Sequence, residues 1–187
     1  MVLKKIMVLG VSAGVGKSSF ARKLSEKKNI PVHHLYSYFW KAGWIESSEK
    51  EFSEKQQQLV KEDRWIIEGN YTGTYEIRSE KADTLIYLEL PLAVCLYRVV
   101  KRRIANQGKT RPDMALGCPE KLDKEFLTFI ISTYSARKVK MRKRMVQFIE
   151  ESPHHKVVFL RNQKQINGYL EKMAEMPASL YKDNGFN

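Results

Sequence analysis

The residues most able to do chemistry in this chain are the glycines, lysine and serines of LGVSAGVGKSSFARKL, residues 9–24. A phosphate-binding loop needs successive backbone N–H groups around an anion at the start of a helix, a lysine for the outer phosphates and a hydroxyl for Mg²⁺. Lys17 supplies the cation, Ser18 the metal-binding hydroxyl, and Ser19 a hydroxyl for an inner phosphate. The pattern predicts a site for ATP and Mg²⁺ formed by Ser12, Ala13, Gly14, Val15, Gly16, Lys17, Ser18 and Ser19.

Val11 stands where the usual loop pattern has its first glycine, and Gly10 lies one position early. Three interpretations follow: a working nucleotide site, a decayed one, or a glycine-rich turn that only resembles one. The first glycine of the pattern lies at the strand exit, away from the tightest curl. A β-branched residue is tolerated there if its φ stays negative. We therefore expect a working site.

The loop lies between an apolar run and an amphipathic segment, and this alternation continues along the chain. Apolar runs predict five strands, at residues 5–10, 30–35, 64–69, 83–90 and 156–160. Helices are predicted over 16–29, 47–63, 91–104 and 163–174, with a helix pair filling 120–150. Strands separated by helices indicate an α/β fold with three layers and a five-stranded parallel sheet. The loop is expected at the carboxyl edge of that sheet, with the first strand inside it.

Length and composition favour one domain over residues 1–187. The only long irregular stretch, residues 106–121, predicts a mobile flap within a lid-like insert around 104–140. Two cysteines make no disulfide framework, and no apolar run approaches the roughly 18 residues of a membrane span. We therefore expect a cytoplasmic protein without a membrane partner.

The net charge of +12 implies an anionic partner, which phosphates, nucleic acid or a membrane surface would each provide. Much of the charge is local, because the run RKVKMRKR, residues 137–144, carries six bases in eight residues. Charge alone does not choose among these partners.

The segments WIIEGNY, ADTLIYLELP and CLYRVVKR, together with the loop, resemble the P-loop kinases close to adenylate kinase. The resemblance is to the DNA topology modulation or adenylate kinase-related group, and it covers nearly the whole chain. It implies a P-loop nucleotide kinase-like fold with a mobile lid and ATP as phosphoryl donor. It implies no particular acceptor.

Phosphoryl transfer depends mostly on positioning and charge neutralisation. Glu68 ends a strand beside the loop, where a carboxylate can hold the Mg²⁺ shell or orient the acceptor; otherwise it is a solvated acid. Arg98 and Arg102 are four residues apart on one helix and therefore share a face. The resemblance implies that they begin the lid, one stacking on the donor base and the other touching phosphate. Arg111 and Arg137 are further candidates for closing onto phosphates.

The acceptor side is predicted from two segments. In HHLYSYFWKAGW, residues 33–44, the resemblance places an aspartate where this chain has Tyr36, so Glu68 is the carboxylate left near the reaction centre. The aromatic residues of that segment predict either a wall that stacks a base or core at the sheet edge, and they are Tyr36, Phe39, Trp40 and Trp44. Acceptor contacts are expected after the third strand, at Gly69, Asn70, Tyr71 and Arg78, with pairing of Arg78 to Glu76 or Glu80 as the alternative.

The adjacent pairs His33–His34 and His154–His155 point to opposite faces of a strand and make poor chelates, so no structural metal is assigned. We expect a kinase that transfers the γ-phosphoryl group of ATP to a nucleotide or other small molecule. The alternatives are an ATP-binding protein associated with nucleic acid through residues 137–144, and a pseudokinase that binds ATP without turnover.

Overall fold

A computed structural model describes residues 3–175 of the 187-residue chain. The parts of the one-domain prediction that fall on residues 1–2 and 176–187 lie outside the described residues. The strands are β1 Lys5–Gly10, β2 Val32–His34, β3 Trp40–Lys41, β4 Ile45–Glu46, β5 Trp65–Glu68, β6 Thr84–Leu88 and β7 Lys156–Leu160. The helices are α1 Lys17–Lys28, α2 Leu35–Phe39, α3 Glu49–Leu59, α4 Tyr75–Ser79, α5 Leu92–Ala105, α6 Lys124–Glu151 and α7 Gln163–Glu175.

Five strands form one parallel sheet in the order β2-β5-β1-β6-β7, with β1 in the centre. The prediction of an α/β fold with a five-stranded parallel sheet and an internal first strand is confirmed. The inner strands β1, β5 and β6 read as continuous apolar runs because helices cover both sheet faces. The α1 helix packs on α7, while α6 contacts β6, β7 and α5, giving three layers.

The register of the sheet determines which side chains meet at its carboxyl edge. Val8 of β1 is paired with Glu68 of β5, and His34 of β2 is paired with the same glutamate. Gly10 of β1 is paired with Leu88 of β6. The ends of β2 and β5 and the loop after β1 therefore converge, as expected of an open α/β sheet.

The helix pair predicted over residues 120–150 is wrong, because α6 is one helix of 28 residues. Its sequence has no glycine or proline between Lys124 and Glu151, so nothing interrupts the backbone hydrogen bonds. Asp123 caps its start by accepting a hydrogen bond from the Phe126 N–H at 2.8 Å. The β3–β4 hairpin and the short helices α2 and α4 were not predicted.

Residues 106–121, called the flap, connect α5 to α6 without helix or strand. The flap lies against the β3–β4 hairpin, where the Gly43 N–H donates to the Gly117 carbonyl at 3.0 Å. The mobility of the flap and the lid-like insert stay predictions. Within residues 3–175, no helix has the length and apolar character to cross a membrane.

Candidate functional site

A cavity of about 1360 Å³ opens at the carboxyl edge of the sheet. Its walls come from the loop between β1 and α1, the ends of β2 and β5, and the β3–β4 hairpin. One face of α5, the flap, the first half of α6 and one face of α7 complete them. Eight basic and four acidic side chains line it, namely Lys17, Arg22, Lys23, Arg98, Arg102, Arg111, Lys121 and Arg137 with Glu68, Asp113, Glu120 and Asp123. The cavity is thus suited to a strongly anionic ligand.

The loop between β1 and α1 lines the floor of the cavity, from Ala13 through Ser19. Gly10 has to be a glycine, since a Cβ there would lie 2.5 Å from Val15 Cγ1 and 2.8 Å from Lys17 Cγ. Val11 is fully buried, its N–H donates to the Leu88 carbonyl at 2.9 Å, and its φ is not positive. The close approach that requires a glycine therefore occurs at position 10, and Val11 leaves the loop intact.

Lys17 begins α1 and points back over the loop, with its ammonium 3.4 Å from the Ser12 carbonyl oxygen and 4.0 Å from Glu68 Oε1. Burial lowers the pKa of Lys17, and the nearby Glu68 carboxylate opposes that effect. An ammonium that burial has stripped of water gains most from an anionic ligand, since the ligand restores its lost interactions.

Glu68 is the centre of a hydrogen-bonded cluster at the end of β5. Its Oε2 accepts hydrogen bonds from Ser18 Oγ at 3.1 Å and from His34 Nδ1 at 3.0 Å. The glutamate side chain is only 6% exposed. His34 also lines the cavity, so two donors fix the orientation of a carboxylate beside the loop.

The residues present fit ATP and Mg²⁺. Ser18 and Glu68 bring a hydroxyl and a carboxylate oxygen together, and hard oxygen ligands are those that Mg²⁺ prefers. A Cβ on Gly14 would run into the Cys95 carbonyl, so the loop needs the glycine that phosphate-binding loops carry there. Around Gly16, by contrast, a Cβ would meet only Arg98 Nη1 at 3.5 Å. The phosphate loop is therefore open at Gly16, on the side that faces the cavity.

Asn70 lines the cavity but uses its side chain on the loop. Its Oδ1 accepts from the Gly10 N–H at 3.0 Å, and its Nδ2 donates to the Gly10 carbonyl at 2.6 Å. Since β5 ends at Glu68, this amide pairs with β1 where the strand backbone no longer does. Asn70 thereby joins the segment after β5 to the start of the phosphate loop.

The arginines predicted to act on phosphates all line the cavity, but they differ in the protein groups that they contact. Arg98 donates to the Val15 carbonyl at 3.3 Å and to Gln163 Oε1 at 2.7 Å, connecting the loop with α7. Arg102 and Arg111 share the Glu120 carboxylate, at 2.8 and 2.5 Å. Arg137 has no carboxylate partner within residues 3–175 and lies 4.4 Å from the centre of the Phe129 ring.

On the acceptor side, Gly69 and four aromatic residues line the cavity, and the four are Tyr36, Trp40, Trp44 and Tyr71. Phe39 does not; its ring packs 5.2 Å from the ring of Phe52 and 4.8 Å from that of Tyr71. Both interpretations of residues 33–44 therefore apply, each to different residues. Tyr36, Trp40 and Trp44 line the cavity as a wall would, and Phe39 packs in the interior. Burial raises the pKa of both Tyr36 and Tyr71, so these phenols stay neutral.

Arg78 and Ser12 do not line the cavity, contrary to their predicted roles. Arg78 is fully buried and donates to the carbonyls of Gly69, Tyr71 and Thr74 at 2.7, 2.8 and 3.4 Å. It holds the turn after β5 instead of an acceptor, and it pairs with neither predicted glutamate. Ser12 is buried, and its hydroxyl has no hydrogen-bond partner within the described chain.

Sequence reasoning missed His34 and Glu120. The adjacency of His33 and His34 excluded chelation by the pair but said nothing about one histidine acting alone. The signal in the sequence was that His34 stands near the end of a predicted strand, residues 30–35; its position level with Glu68 depends on the pairing of β2 with β5. Glu120 lies in the flap, where no periodicity indicates which side chains turn inward.

Comparisons with solved structures identify the fold. A gluconokinase from Sinorhizobium meliloti aligns with a TM-score of 0.51 at 13% identity, covering 97% of this chain and 98% of its own. A shikimate kinase from Acinetobacter baumannii gives 0.49 at 16% identity over 97% of both chains. Deoxyadenosine kinase from M. mycoides gives 0.45 at 15% identity, over 91% of this chain and 98% of its own. No family model matches the chain, and no curated protein matches it significantly in sequence. The parallel sheet, its strand order and the first alignment together show that the chain has the P-loop nucleotide kinase-like fold.

Proposed function

We propose that this protein is a phosphotransferase that uses ATP and Mg²⁺ to phosphorylate a small-molecule acceptor. The observation that carries the proposal is the meeting of Lys17, Ser18 and Glu68 at the carboxyl edge of the sheet. A cation, a hydroxyl and a carboxylate on a phosphate loop are the parts that phosphoryl transfer from a nucleotide needs. The gluconokinase and shikimate kinase of similar fold are named as kinases of small molecules, which agrees with it.

Each residue has a part in binding and orientation. The loop from Ala13 to Ser19 holds the phosphates through its amides, and Lys17 neutralises the outer ones. Mg²⁺ held by Ser18 and Glu68 would neutralise further charge as it develops on the phosphates. His34 keeps the Glu68 carboxylate in one orientation through its Nδ1–H. Arg98, Arg102, Arg111 and Arg137 surround the cavity and stabilise the charge of the transferring group.

In the reaction, an acceptor hydroxyl oxygen forms a bond to the γ-phosphorus of ATP. The bond from that phosphorus to the bridging oxygen breaks, and its electron pair stays on ADP. The hydroxyl proton leaves to water, because a loose transition state requires little assistance from a strong base. The chain's contribution is to position the two reactants and exclude other nucleophiles.

A second candidate is ATP binding without turnover, and Tyr36 favours it. This tyrosine is 39% exposed at the cavity, where the resemblance places an aspartate. A neutral phenol supplies no negative charge to orient an acceptor hydroxyl. Under the first proposal, Glu68 at the end of β5 would orient the acceptor hydroxyl in addition to holding Mg²⁺. The free, buried thiols of Cys95 and Cys118 are in keeping with a reducing cytoplasm, where we place the protein.

The test is ATP binding by calorimetry combined with a screen of nucleosides, nucleoside mono- and diphosphates and small alcohols for ATP consumption. Lys17→Ala should weaken ATP binding about 10- to 100-fold by losing a charge-assisted contact. Lys27→Ala is the matched control, since Lys27 lies on the same helix, is exposed and is not at the cavity. Equal ATP affinity in the wild type and Lys17→Ala would refute a functional loop. Binding without consumption of ATP by any acceptor would favour the second candidate.

A further inference from the structure

An aromatic wall, defined here as Tyr36, Trp40, Trp44 and Tyr71, forms the acceptor side of the cavity. Two of the rings are adjacent across the hairpin, since Trp40 and Trp44 lie 5.3 Å apart and edge-on. The other two, Tyr36 and Tyr71, lie 5.8 Å apart. The wall therefore presents several ring surfaces to one space, beside the Glu68 carboxylate that ends β5.

The wall is supported from behind. The Tyr71 ring lies 4.8 Å from both Phe39 and Phe52, and Phe52 belongs to the main core. Phe39 and Phe52 thus form a second layer of rings between the wall and the core. Tyr71 is thereby packed against the core, whereas Tyr36 beside it remains 39% exposed.

The hairpin that carries the two tryptophans is held in an unfavourable backbone conformation. Trp44 has a φ of +64°, in the left-handed region that bulky residues rarely adopt. The flap holds the hairpin there, since Gly43 N–H donates to the Gly117 carbonyl at 3.0 Å and Cys118 Sγ donates to the Lys41 carbonyl at 3.1 Å. Such conformations persist where surrounding structure imposes them, and they cluster at ligand sites.

An unused donor lies in the same wall. The indole Nε1 of Trp40 is buried, and within residues 3–175 it has no hydrogen-bond partner. Buried indole N–H groups usually find a partner. Trp40 also lines the cavity, but protein atoms close off this N–H, so what the residue offers a ligand is apolar surface.

We propose that the phosphoryl acceptor carries a planar aromatic or heteroaromatic ring, which lies against Tyr36 and the two indoles of the wall. The proposal rests on the proposed phosphotransferase function and adds the substrate class to it. Flat rings stack on aromatic side chains face against face whatever their substituents, whereas a puckered ring presents only C–H groups and makes less contact with the same surface. The acceptor hydroxyl reaches the γ-phosphorus, ADP leaves, and the wall takes no part in bond making or breaking.

The experiment compares ligands with a flat ring against partners without one, in the presence of ADP and Mg²⁺. The first pair is 3-hydroxybenzoate against 3-hydroxycyclohexanecarboxylate, and the second is adenosine against ribose. Binding is followed by quenching of tryptophan fluorescence, because two of the three tryptophans are in the wall and the third, Trp65, is fully buried in β5. Calorimetry repeats the measurement without a fluorescent reporter. At least one flat ligand should bind at least tenfold more tightly than its partner.

Two variant pairs separate stacking from mere space filling. Trp40→Leu and Tyr36→Leu should weaken flat-ring binding about 5- to 100-fold, while Trp40→Phe and Tyr36→Phe should retain most of it. Tyr97→Leu is the control, since Tyr97 is 64% exposed on α5 and is not at the cavity. Equal binding of both members of each pair, no binding of any flat ligand, or equal losses for flat and puckered ligands would overturn the proposal.

ATP binding in the same samples distinguishes the two levels of failure. If Lys17-dependent ATP binding persists while the ring preference is absent, the substrate class is wrong and the phosphotransferase proposal stands. If ATP does not bind, the phosphotransferase proposal fails. A ring preference that persists in that case makes the wall a binding site for flat molecules unconnected with phosphoryl transfer, which also overturns the inference about the acceptor.

Discussion

Replacing Asn70 tests how the phosphate loop is held in place. Its amide makes two hydrogen bonds to Gly10, at 3.0 and 2.6 Å, where β5 has already ended. Gly10 is buried, so Asn70→Ala removes the side-chain partners of its N–H and carbonyl groups. At about 0.5–1.5 kcal/mol for each net hydrogen bond, the free energy of unfolding should fall by about 1–3 kcal/mol. The variant loop should also bind ATP at least about tenfold more weakly, because Gly10 begins it.

The measurements are urea unfolding and ATP calorimetry on three variants. Asn70→Asp keeps an oxygen for the Gly10 N–H but cannot donate to the Gly10 carbonyl, and it adds negative charge beside the phosphate loop. Asn70→Asp should therefore lower the free energy of unfolding less than Asn70→Ala does, but it should weaken ATP binding more. Added salt should restore part of the ATP affinity, because it screens the repulsion between the carboxylate and the phosphates. Asn162→Ala, which removes the hydrogen bond that its Oδ1 accepts from the Gln165 N–H at the start of α7, is the control for loss of a single local bond, since Asn162 does not line the cavity.

The competing interpretation is that Asn70 binds the acceptor, as its place in the sequence first indicated. In that case Asn70→Ala would raise the KM for the acceptor and leave both the unfolding free energy and the ATP affinity unchanged. That result would refute the role of the amide as a clamp on Gly10.

Three other predictions concern the metal, a buried arginine and pH. Ser18→Ala and Glu68→Gln should each weaken Mg²⁺ binding in the presence of ADP about 10- to 100-fold by calorimetry, and an unchanged affinity would remove both from the metal site. Arg78→Met should lower the free energy of unfolding by about 3–5 kcal/mol, because three carbonyls lose their donor; wild-type stability combined with a raised acceptor KM would restore the acceptor role. Burial opposes ionisation of Glu89, but hydrogen bonds from Arg142 outweigh it and hold the Glu89 pKa below 4.5. This pair therefore stabilises the fold above pH 4.5, and its contribution is lost as the pH falls through the lowered pKa. Glu89→Gln should cost about 1 kcal/mol at pH 7 and progressively less as the pH falls below 4.5 in urea titrations, whereas a difference independent of pH would contradict the assignment.

Much of the fold follows from the sequence because the inner strands are buried on both faces. Residues 64–69 and 83–90 are apolar runs, and they contain the strands Trp65–Glu68 and Thr84–Leu88. A parallel strand covered by helices needs apolar residues at nearly every position, so its pattern is clear without any neighbour. Because the strands alternate with helices and crossover connections are right-handed, only a few arrangements of the strands in the sheet are possible.

Residues 35–46 could not be predicted in the same way. Their aromatic residues fit a helical period at Tyr36, Trp40 and Trp44 and a strand period at Tyr36, Tyr38 and Trp40, so the pattern does not decide between the two. The strands β3 and β4 contain only two residues each. The hairpin depends on a contact far away in sequence, between Gly43 and Gly117 of the flap. Local propensity does not contain that information, which is why the acceptor side was open to two interpretations.

The same difference separates the well-predicted and poorly predicted site residues. Lys17 and Ser18 belong to a contiguous motif whose backbone geometry is fixed by neighbouring residues. His34 and Glu68 come together only because β2 and β5 are adjacent in the sheet, in a register that aligns them. Arg78 has the charge expected of a residue that binds an acceptor phosphate, but it is buried and donates its hydrogen bonds to three backbone carbonyls.

The basic run at 137–144 shows how a charged segment of sequence is divided by a helix. Arg137 turns toward the cavity, and Arg144 is buried with its guanidinium 3.9 Å from the centre of the Tyr75 ring. A nucleic-acid interface would need these charges on one accessible stripe. Residues seven apart share a face of α6, but that face borders the cavity at Arg137 and packs against Tyr75 at Arg144, so the two charges do not form one accessible stripe.

The rest of the run is partly neutralised, because Lys138 and Arg142 both pair with Glu89 at 3.4 and 2.6 Å. Lys140 and Lys143 are then the exposed cations of the run without an ion-pair partner in the described chain. Two separate lysines release too few counterions for tight, salt-resistant duplex binding. The cavity, with eight basic and four acidic side chains, has an excess of positive charge inside protein walls. Positive charge enclosed by protein walls attracts an anion far more strongly than charge spread over a wet helix face, and this favours nucleotide phosphates over nucleic acid as the partner.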